Sequence, residues 1–236
     1  MSIININPTD LSILIWKKLL DNSEFKRNTY KNEFFTKIDG LDKLRSQSDY
    51  NTGSITSTTS WLLYSTVLFF KPKIIVEVGS FIGKSTFSMA LAADSYKDQH
   101  DAKIYCCDHS NEIKFPSISS TAIKQFHKIT STEMLKNLDK KQKIDLMHID
   151  GRLQPDDFPI LAGLITSETI FLLDDFETNE KGVVNFENLL ESKLISRKNH
   201  ILATPIQNEI KKNYDFNEQS TTALILPLNK LQITNQ

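Results

Sequence analysis

Cysteine is scarce: two among 236 residues, adjacent at Cys106 and Cys107. Such a pair cannot staple distant segments, so a disulfide framework is excluded and a cysteine metal site is not expected. An excess of charge of either sign is also missing, with 28 Lys plus Arg against 29 Asp plus Glu. No global field then draws the chain to nucleic acid or an anionic membrane, and neither is an expected partner. The short basic clusters DKKQK (139–143) and KK (211–212) read as solvated faces. Long apolar runs are lacking as well. The opening MSIININPTDLSILIWKKLL has no basic leader region, and its apolar stretches are too short to span a bilayer. No repeat or low-complexity segment occurs. What remains is the expectation of a cytoplasmic enzyme or binding protein. Its 39% hydrophobic and 24% charged residues suit one ordinary soluble domain with a substantial core.

Periodicity divides the chain in two. Residues 8–21 read as a helix, with Leu11, Leu14, Ile15 and Leu19 at helical spacing and Thr9 or Asp10 as its cap. Residues 22–55 are polar and weakly periodic, and read as short helices and loops. The apolar stretch STTSWLLYSTVLFF (57–70) reads as a buried helix stopped by Pro72. Beyond it the pattern changes. KIIVEV (73–78), KIYCCD (103–108), IDLMHID (144–150) and IFLLDD (170–175) are short continuous apolar runs. Runs apolar on both faces suit parallel strands covered by helices on either side. Helices are expected at 84–95, 119–127, 131–140 and 155–166, and HILATPI (200–206) with TTALILPL (221–228) as an antiparallel closing pair. The expected fold is α/β: a doubly wound, Rossmann-like, mostly parallel sheet with an antiparallel closing strand, plus an N-terminal helical segment. The expected division is 1–55, 56–228 and a tail at 229–236. The first segment is expected to cover the substrate side or to mediate self-association into a homo-oligomer.

The stretch VEVGSFIGKST (76–86) ends like a triphosphate-binding loop but is one residue short of it. Only Ser80, Phe81 and Ile82 separate Gly79 from Gly83, where a phosphate cradle needs four. Glu77 would also repel a phosphate. The same features suit a cationic, phosphate-free ligand. Gly79 permits a sharp turn close to a ligand, Gly83 opens the next helix, and Glu77 can receive an ammonium group directly or through water. Asp108, about 30 residues on and at the end of the next strand, lies where doubly wound folds grip ribose hydroxyls.

E-x-G-x-x-x-G-x-S, the acidic strand end, HIDG (148–151) and LLDDF (172–176) together resemble a class I methyltransferase that uses S-adenosylmethionine (SAM). Within that superfamily the chain is similar to the metal-dependent small-molecule O-methyltransferases of the catechol and macrocin type, over roughly residues 55–228. The resemblance implies that Glu77, Gly79, Ser80, Phe81, Gly83 and Ser85 form the loop beside the methionine part of SAM. Asp108 would hold the ribose, with His109 and Asp150 also at the cofactor. Ser131 and Thr132 would lie near the adenine, although Ser131 also reads simply as a helix N-cap.

Asp150, Asp174 and Asp175 end two strands that are neighbours in such a fold. Three converging carboxylates repel one another unless protonated or bridged by a cation, and an oxygen-rich set favours Mg²⁺, Mn²⁺ or Ca²⁺. The resemblance implies that such an ion holds a hydroxylated small-molecule substrate and lowers its pKa. Aspartates as strand-end turn residues or caps are the plainer reading. One departure stands out. The family commonly places Lys or His three residues after the first of these aspartates, as general base; here that residue is Leu153, and the adjacent Arg152 cannot deprotonate. The metal alone, His109 or His148 could serve instead, and His148 shares a strand face with Asp150. A hydroxylase on the same scaffold, a nucleotide-binding module using GKST and a non-catalytic ligand-binding protein are the other readings.

Overall fold

The computed structural model describes residues 7–21, 28–45, 53–110 and 119–231. Parts of the polar 22–55 segment (22–27 and 46–52) and the end of the expected tail (232–236) lie outside them. Among the described residues no helix is long and apolar enough to cross a membrane.

The chain runs through α1 (Pro8–Leu20), α2 (Asn28–Arg45) and α3 (Ser57–Phe70) before its first strand. Then follow β1 (Ile74–Val78), α4 (Lys84–Asp94), β2 (Lys103–Asp108), β3 (Ala122–His127), α5 (Ser131–Lys136), β4 (Leu146–Ile149), α6 (Asp157–Leu164) and β5 (Ile170–Leu173). The last third contains α7 (Lys181–Glu191), β6 (His200–Ala203), α8 (Asn208–Asn213) and β7 (Ala223–Pro227), with a 3₁₀ turn at Leu228–Leu231. The strands form one sheet in the order β3-β2-β1-β4-β5-β7-β6. β1 to β5 are parallel, and β7 returns antiparallel between β5 and β6. This is the doubly wound, mostly parallel sheet with an antiparallel closing pair that the apolar runs imply. Strand order reverses at β1, between β2 and β4, and it is there that open α/β sheets make a crevice beyond their carboxyl ends.

Alternation along the strands divides the core between the two faces. Ile75, Ile104, Leu146, Leu172 and Leu224 face α1 to α4 in one apolar cluster, and Val76, Val78, Met147, Ile149, Phe171 and Leu173 face α5 to α7 in another. The N-terminal helices belong to the first cluster: Ile15, Trp16, Leu19, Phe34, Ile38 and Leu41 are buried there with Trp61 and Tyr64 of α3. Trp16 also donates its indole N–H to the carbonyl of Thr204, at 2.7 Å. α3 is apolar all round because it is wrapped all round, every side chain from Thr58 to Leu68 being buried.

Three local expectations change. Residues 119–127 hold a strand, β3, paired in parallel with β2 from Lys103↔Ala122 to Asp108↔His127, and not a helix. As an edge strand it has one neighbour and carries Lys124, Gln125 and His127, so it lacks the continuous apolar run of the central strands. Asn7, one residue before Pro8, caps α1 by accepting from the Thr9 N–H at 3.0 Å, in place of Thr9 or Asp10. Residues 28–45 form one long helix and not several short ones.

Candidate functional site

The loop from β1 to α4 is set by backbone geometry that few residues permit. Gly79 has φ +87°, and a Cβ there would lie 2.8 Å from the Asp150 carbonyl, so only glycine lets this loop lie against the end of β4. The N–H groups of Gly79 and Ser80 both donate to the Cys107 carbonyl, at 3.0 and 3.2 Å. Phe81, itself at φ +44°, donates its N–H to Asp108 Oδ2 at 2.8 Å, and Ser110 N–H reaches Asp108 Oδ1 at 2.7 Å. The Asp108 carboxylate thus ties the ends of β1 and β2 together while remaining half-exposed.

Beyond these strand ends lies a cavity of about 360 Å³. One end is walled by Gly79, Phe81, Asp108 and His109. The other is walled by Asp150, Gly151, Asp174, Asp175, Lys181 and Thr221, and Gly53 to Thr56 and Thr59 also line the cavity. Seven of the expected site residues are therefore brought together around one space: Gly79, Phe81, Asp108, His109, Asp150, Asp174 and Asp175.

The remaining candidates support this wall from behind. Glu77 is fully buried, with Oε1 at 3.0 Å from His148 Nδ1 and Oε2 accepting from the Thr86 hydroxyl. Fully buried, it does not line the cavity, which is at odds with direct receipt of a ligand's ammonium. His148 is equally buried. Burial pushes its imidazole down, but the hydrogen bond and charge of Glu77 outweigh that and hold it above the usual value. A histidine enclosed in this way cannot take a proton from a ligand in the cavity, so the catalytic expectation for it is replaced by a structural one. Ser80 donates its hydroxyl to the Cys107 carbonyl, Gly83 caps α4 at φ +89°, and Ser85 is buried. Lys84 and Thr86 are buried too, so GKST offers no open cradle to a phosphate. Thr130, not Ser131, caps α5, with Glu133 closing a capping box. The Ser131 and Thr132 hydroxyls instead donate to Asp157, a buried carboxylate that also accepts from Gln154 N–H at 2.8 Å. The two thiols lie inside β2, and burial pushes both above their usual range, as expected of inert cysteines.

The carboxylate end holds what the sequence reading lacked. Lys181 places its ammonium 2.7 Å from Asp150 Oδ1 and 3.0 Å from Asp175 Oδ2. Burial alone would lower the Lys181 pKa, but the two carboxylates raise it above its ordinary value, so it stays a cation. The Asp150 carboxyl is pushed up to about 7, by burial first and by Asp174 second, against the pull of Lys181 and His148. Asp174 accepts from the Thr222 hydroxyl at 2.7 Å and more weakly from Thr221 at 3.3 Å. The divalent ion expected on Asp150, Asp174 and Asp175 does not fit this arrangement, because the Lys181 ammonium already lies between two of the three. Among the described residues no group of three or more His, Cys, Asp or Glu is arranged to hold a metal.

Lys181 lies 31 positions from Asp150, in a segment with no strand-end motif, which is why a search local to Asp150 finds Leu153 and stops. Two signals were available. VVNFENLLE carries Phe186, Leu189 and Leu190 at helical spacing, and a glycine directly after the lysine marks a close approach at the start of that helix. Asn185, one turn beyond Lys181, was also missed. Its side chain accepts from Leu153 N–H at 3.1 Å and donates to the Gly151 carbonyl at 2.8 Å, fixing the loop after β4.

Comparison with known proteins agrees with this layout. Residues 76–176 match the family model described as a methyltransferase domain, a span from β1 to just beyond Asp175. None of the curated proteins matches the sequence at a significant level. Among solved structures, the O-methyltransferase TomG from Streptomyces achromogenes, in complex with SAM, superposes with a TM-score of 0.54 at 17% identity, covering 80% of this chain and 88% of its own. A putative O-methyltransferase from Klebsiella pneumoniae gives 0.60 at 11% identity, covering 94% and 99%. The O-methyltransferase from Bacillus cereus in complex with SAH gives 0.52 at 12%, covering 90% and 96%. At such identities the likeness is one of fold.

Proposed function

We propose, from the match of residues 76–176 to the methyltransferase-domain model, that the chain transfers the methyl group of SAM to a hydroxyl of a small metabolite. The observation that carries this is one cavity with two chemically different ends. At the first end the turn through Gly79 and Phe81, and the half-exposed Asp108, suit a nucleoside with a cationic tail. A phosphate would meet a carboxylate there, and the buried GKST segment gives it no cradle. SAM and its demethylated product SAH, bound by the fold relatives from Streptomyces and Bacillus, have the right chemistry.

The acidic end suits the acceptor. A hydroxyl is a poor nucleophile until its proton is taken, and an effective base has a pKa near the working pH. Asp150, half-buried and pushed up to about 7, meets that condition. The acceptor oxygen attacks the methyl carbon, the C–S bond breaks with its electron pair returning to sulfur, and the hydroxyl proton passes to Asp150. Holding oxygen and methyl in line is the other large contribution. No step is assigned to a divalent ion. Gly53, Ser54 and Ile55 line the same cavity, which supports a covering role for the N-terminal segment.

The test is methyl transfer from SAM labelled in its methyl group to a panel of small hydroxylated compounds. Label should appear on oxygen in at least one acceptor and fall to background in Asp150→Asn. Labelled product confined to nitrogen or carbon, or full transfer in that variant, would refute the reading.

A further inference from the structure

We infer that Lys181 is a tethered substitute for a divalent cation: its ammonium holds the acceptor oxygen and keeps metal ions out of the aspartate cluster. The inference rests on the methyl-transfer reading above. Two of the three N–H donors of the ammonium face Asp150 and Asp175, while the side chain lines the cavity, so one donor remains for an oxygen bound there. As the acceptor oxygen forms its bond to the methyl carbon and its proton passes to Asp150, the negative charge building on it is balanced by a cation that never leaves the site.

Two sets of contacts hold the start of α7, and with it the lysine, in place. Gly182, the next residue, packs so tightly that an added Cβ would lie 2.3 Å from the Asp174 carbonyl oxygen, and its N–H donates to the Asp175 carbonyl at 3.2 Å. Asn185, on the same face of α7 one turn on, ties the loop after β4. The first turn of α7 is thus joined to the ends of both β4 and β5. Lys181 is also the first residue of that helix, where the macrodipole disfavours a positive charge. The carboxylates offset that cost, and a local preference overridden in this manner marks a functional position.

A metal ion at the same place would need oxygens that the ammonium already occupies. Mg²⁺ demands near-ideal octahedral coordination at about 2.0–2.1 Å, and a second cation among these groups would be repelled by the first. The two occupants are alternatives, which makes the inference testable without knowing the acceptor. Mn²⁺ serves as the probe, titrated into the SAH-loaded protein and followed by the electron paramagnetic resonance of the free ion. Wild type and Lys181→Arg should show no saturable binding up to about 1 mM, the weak end of protein sites for hard cations. Lys181→Met, which removes the charge at similar length, should bind Mn²⁺ at least about tenfold more tightly, and Lys181→Met/Asp174→Asn should lose that gain. If Lys181→Met does not fold, Lys181→Gln supplies the neutral side chain. Saturable Mn²⁺ binding by wild type that Asp150→Asn abolishes would overturn the inference, as would a folded neutral variant with no gain. SAH binding in the same samples separates the two ideas: its absence refutes the methyl-transfer reading, whereas saturable Mn²⁺ binding by wild type beside bound SAH refutes only the role of Lys181.

Discussion

The two ends of the cavity are built by different means. The end formed by Gly79, Phe81 and Asp108 is local to one pair of neighbouring strands: the turn after β1 folds onto the end of β2, where Asp108 accepts from the Phe81 N–H. The end formed by Asp150, Asp174, Asp175 and Lys181 is assembled from two strands and a helix that begins 31 residues after Asp150, and it depends on how closely α7 docks. The local end could tolerate a shift of α7 and still bind a nucleoside. The assembled end could not keep its charge balance. Cofactor binding and acceptor activation should therefore be separable by substitution.

The largest effect is expected at Asp150. Asp150→Asn keeps size and removes the base, so turnover should fall by about 10²–10⁴-fold in steady-state kinetics while SAH affinity, measured by calorimetry, stays within a factor of about three. A parallel loss of affinity would show that the two ends are one unit.

Next comes the buried pair behind the wall. Glu77 and His148 are both fully buried and 3.0 Å apart, and deleting one partner leaves a buried polar or charged group alone. Glu77→Ala and His148→Ala should each cost about 3–5 kcal/mol of stability in denaturant unfolding. A stable His148→Ala protein whose turnover alone had collapsed would restore His148 to the chemistry.

This pair also shows how far the sequence could be read. Alternation places Glu77, His148 and Asp150 on one face, and the register Glu77↔His148 agrees. What alternation cannot tell is depth. The aspartate just beyond the strand reaches the cavity, and the two residues one step further in do not. The central strands followed from their continuous apolar runs, whereas the polar edge strand β3 was read as a helix and α7 and α8, which carry no such run, were not expected. Asp108 was legible as a cavity-lining residue because a strand end fixes its place. Lys181 was not, because its role comes from docking, and a lysine at the start of a helix looks like a solvated one.

Gly182 tests that docking. Gly182→Ala sets a Cβ against backbone that cannot move aside, and should cost about 1–3 kcal/mol in thermal unfolding. Because the strain displaces α7, turnover should drop as well, with SAH affinity unchanged. A fall in SAH affinity as large as the fall in turnover would show that α7 also shapes the cofactor end.

A smaller effect is expected from pH. The folded Asp150 carboxyl is raised to about 7 from its ordinary 3.8, so the folded state holds a proton that the unfolded chain releases earlier. Its contribution is present in full below about pH 4 and is lost as pH rises through about 7. With a side chain 21% exposed and partly screened, the loss should be on the order of 1–2 kcal/mol. Unfolding of the ligand-free protein across that range should show this fall in wild type and a flatter profile in Asp150→Asn. Identical profiles would mean that Asp150 titrates normally.

On this reading the turn after β1 and the Asp108 carboxylate make a site for SAM and not for a nucleoside triphosphate. Calorimetric titration of SAH and of ATP into wild type and Asp108→Ala tests it most directly. The account predicts micromolar binding of SAH, ATP weaker by at least about a hundredfold, and a loss of about 1.5–3 kcal/mol of SAH binding in Asp108→Ala, as for hydrogen bonds to a charged group. ATP binding as tight as SAH, or SAH binding untouched by Asp108→Ala, would contradict it.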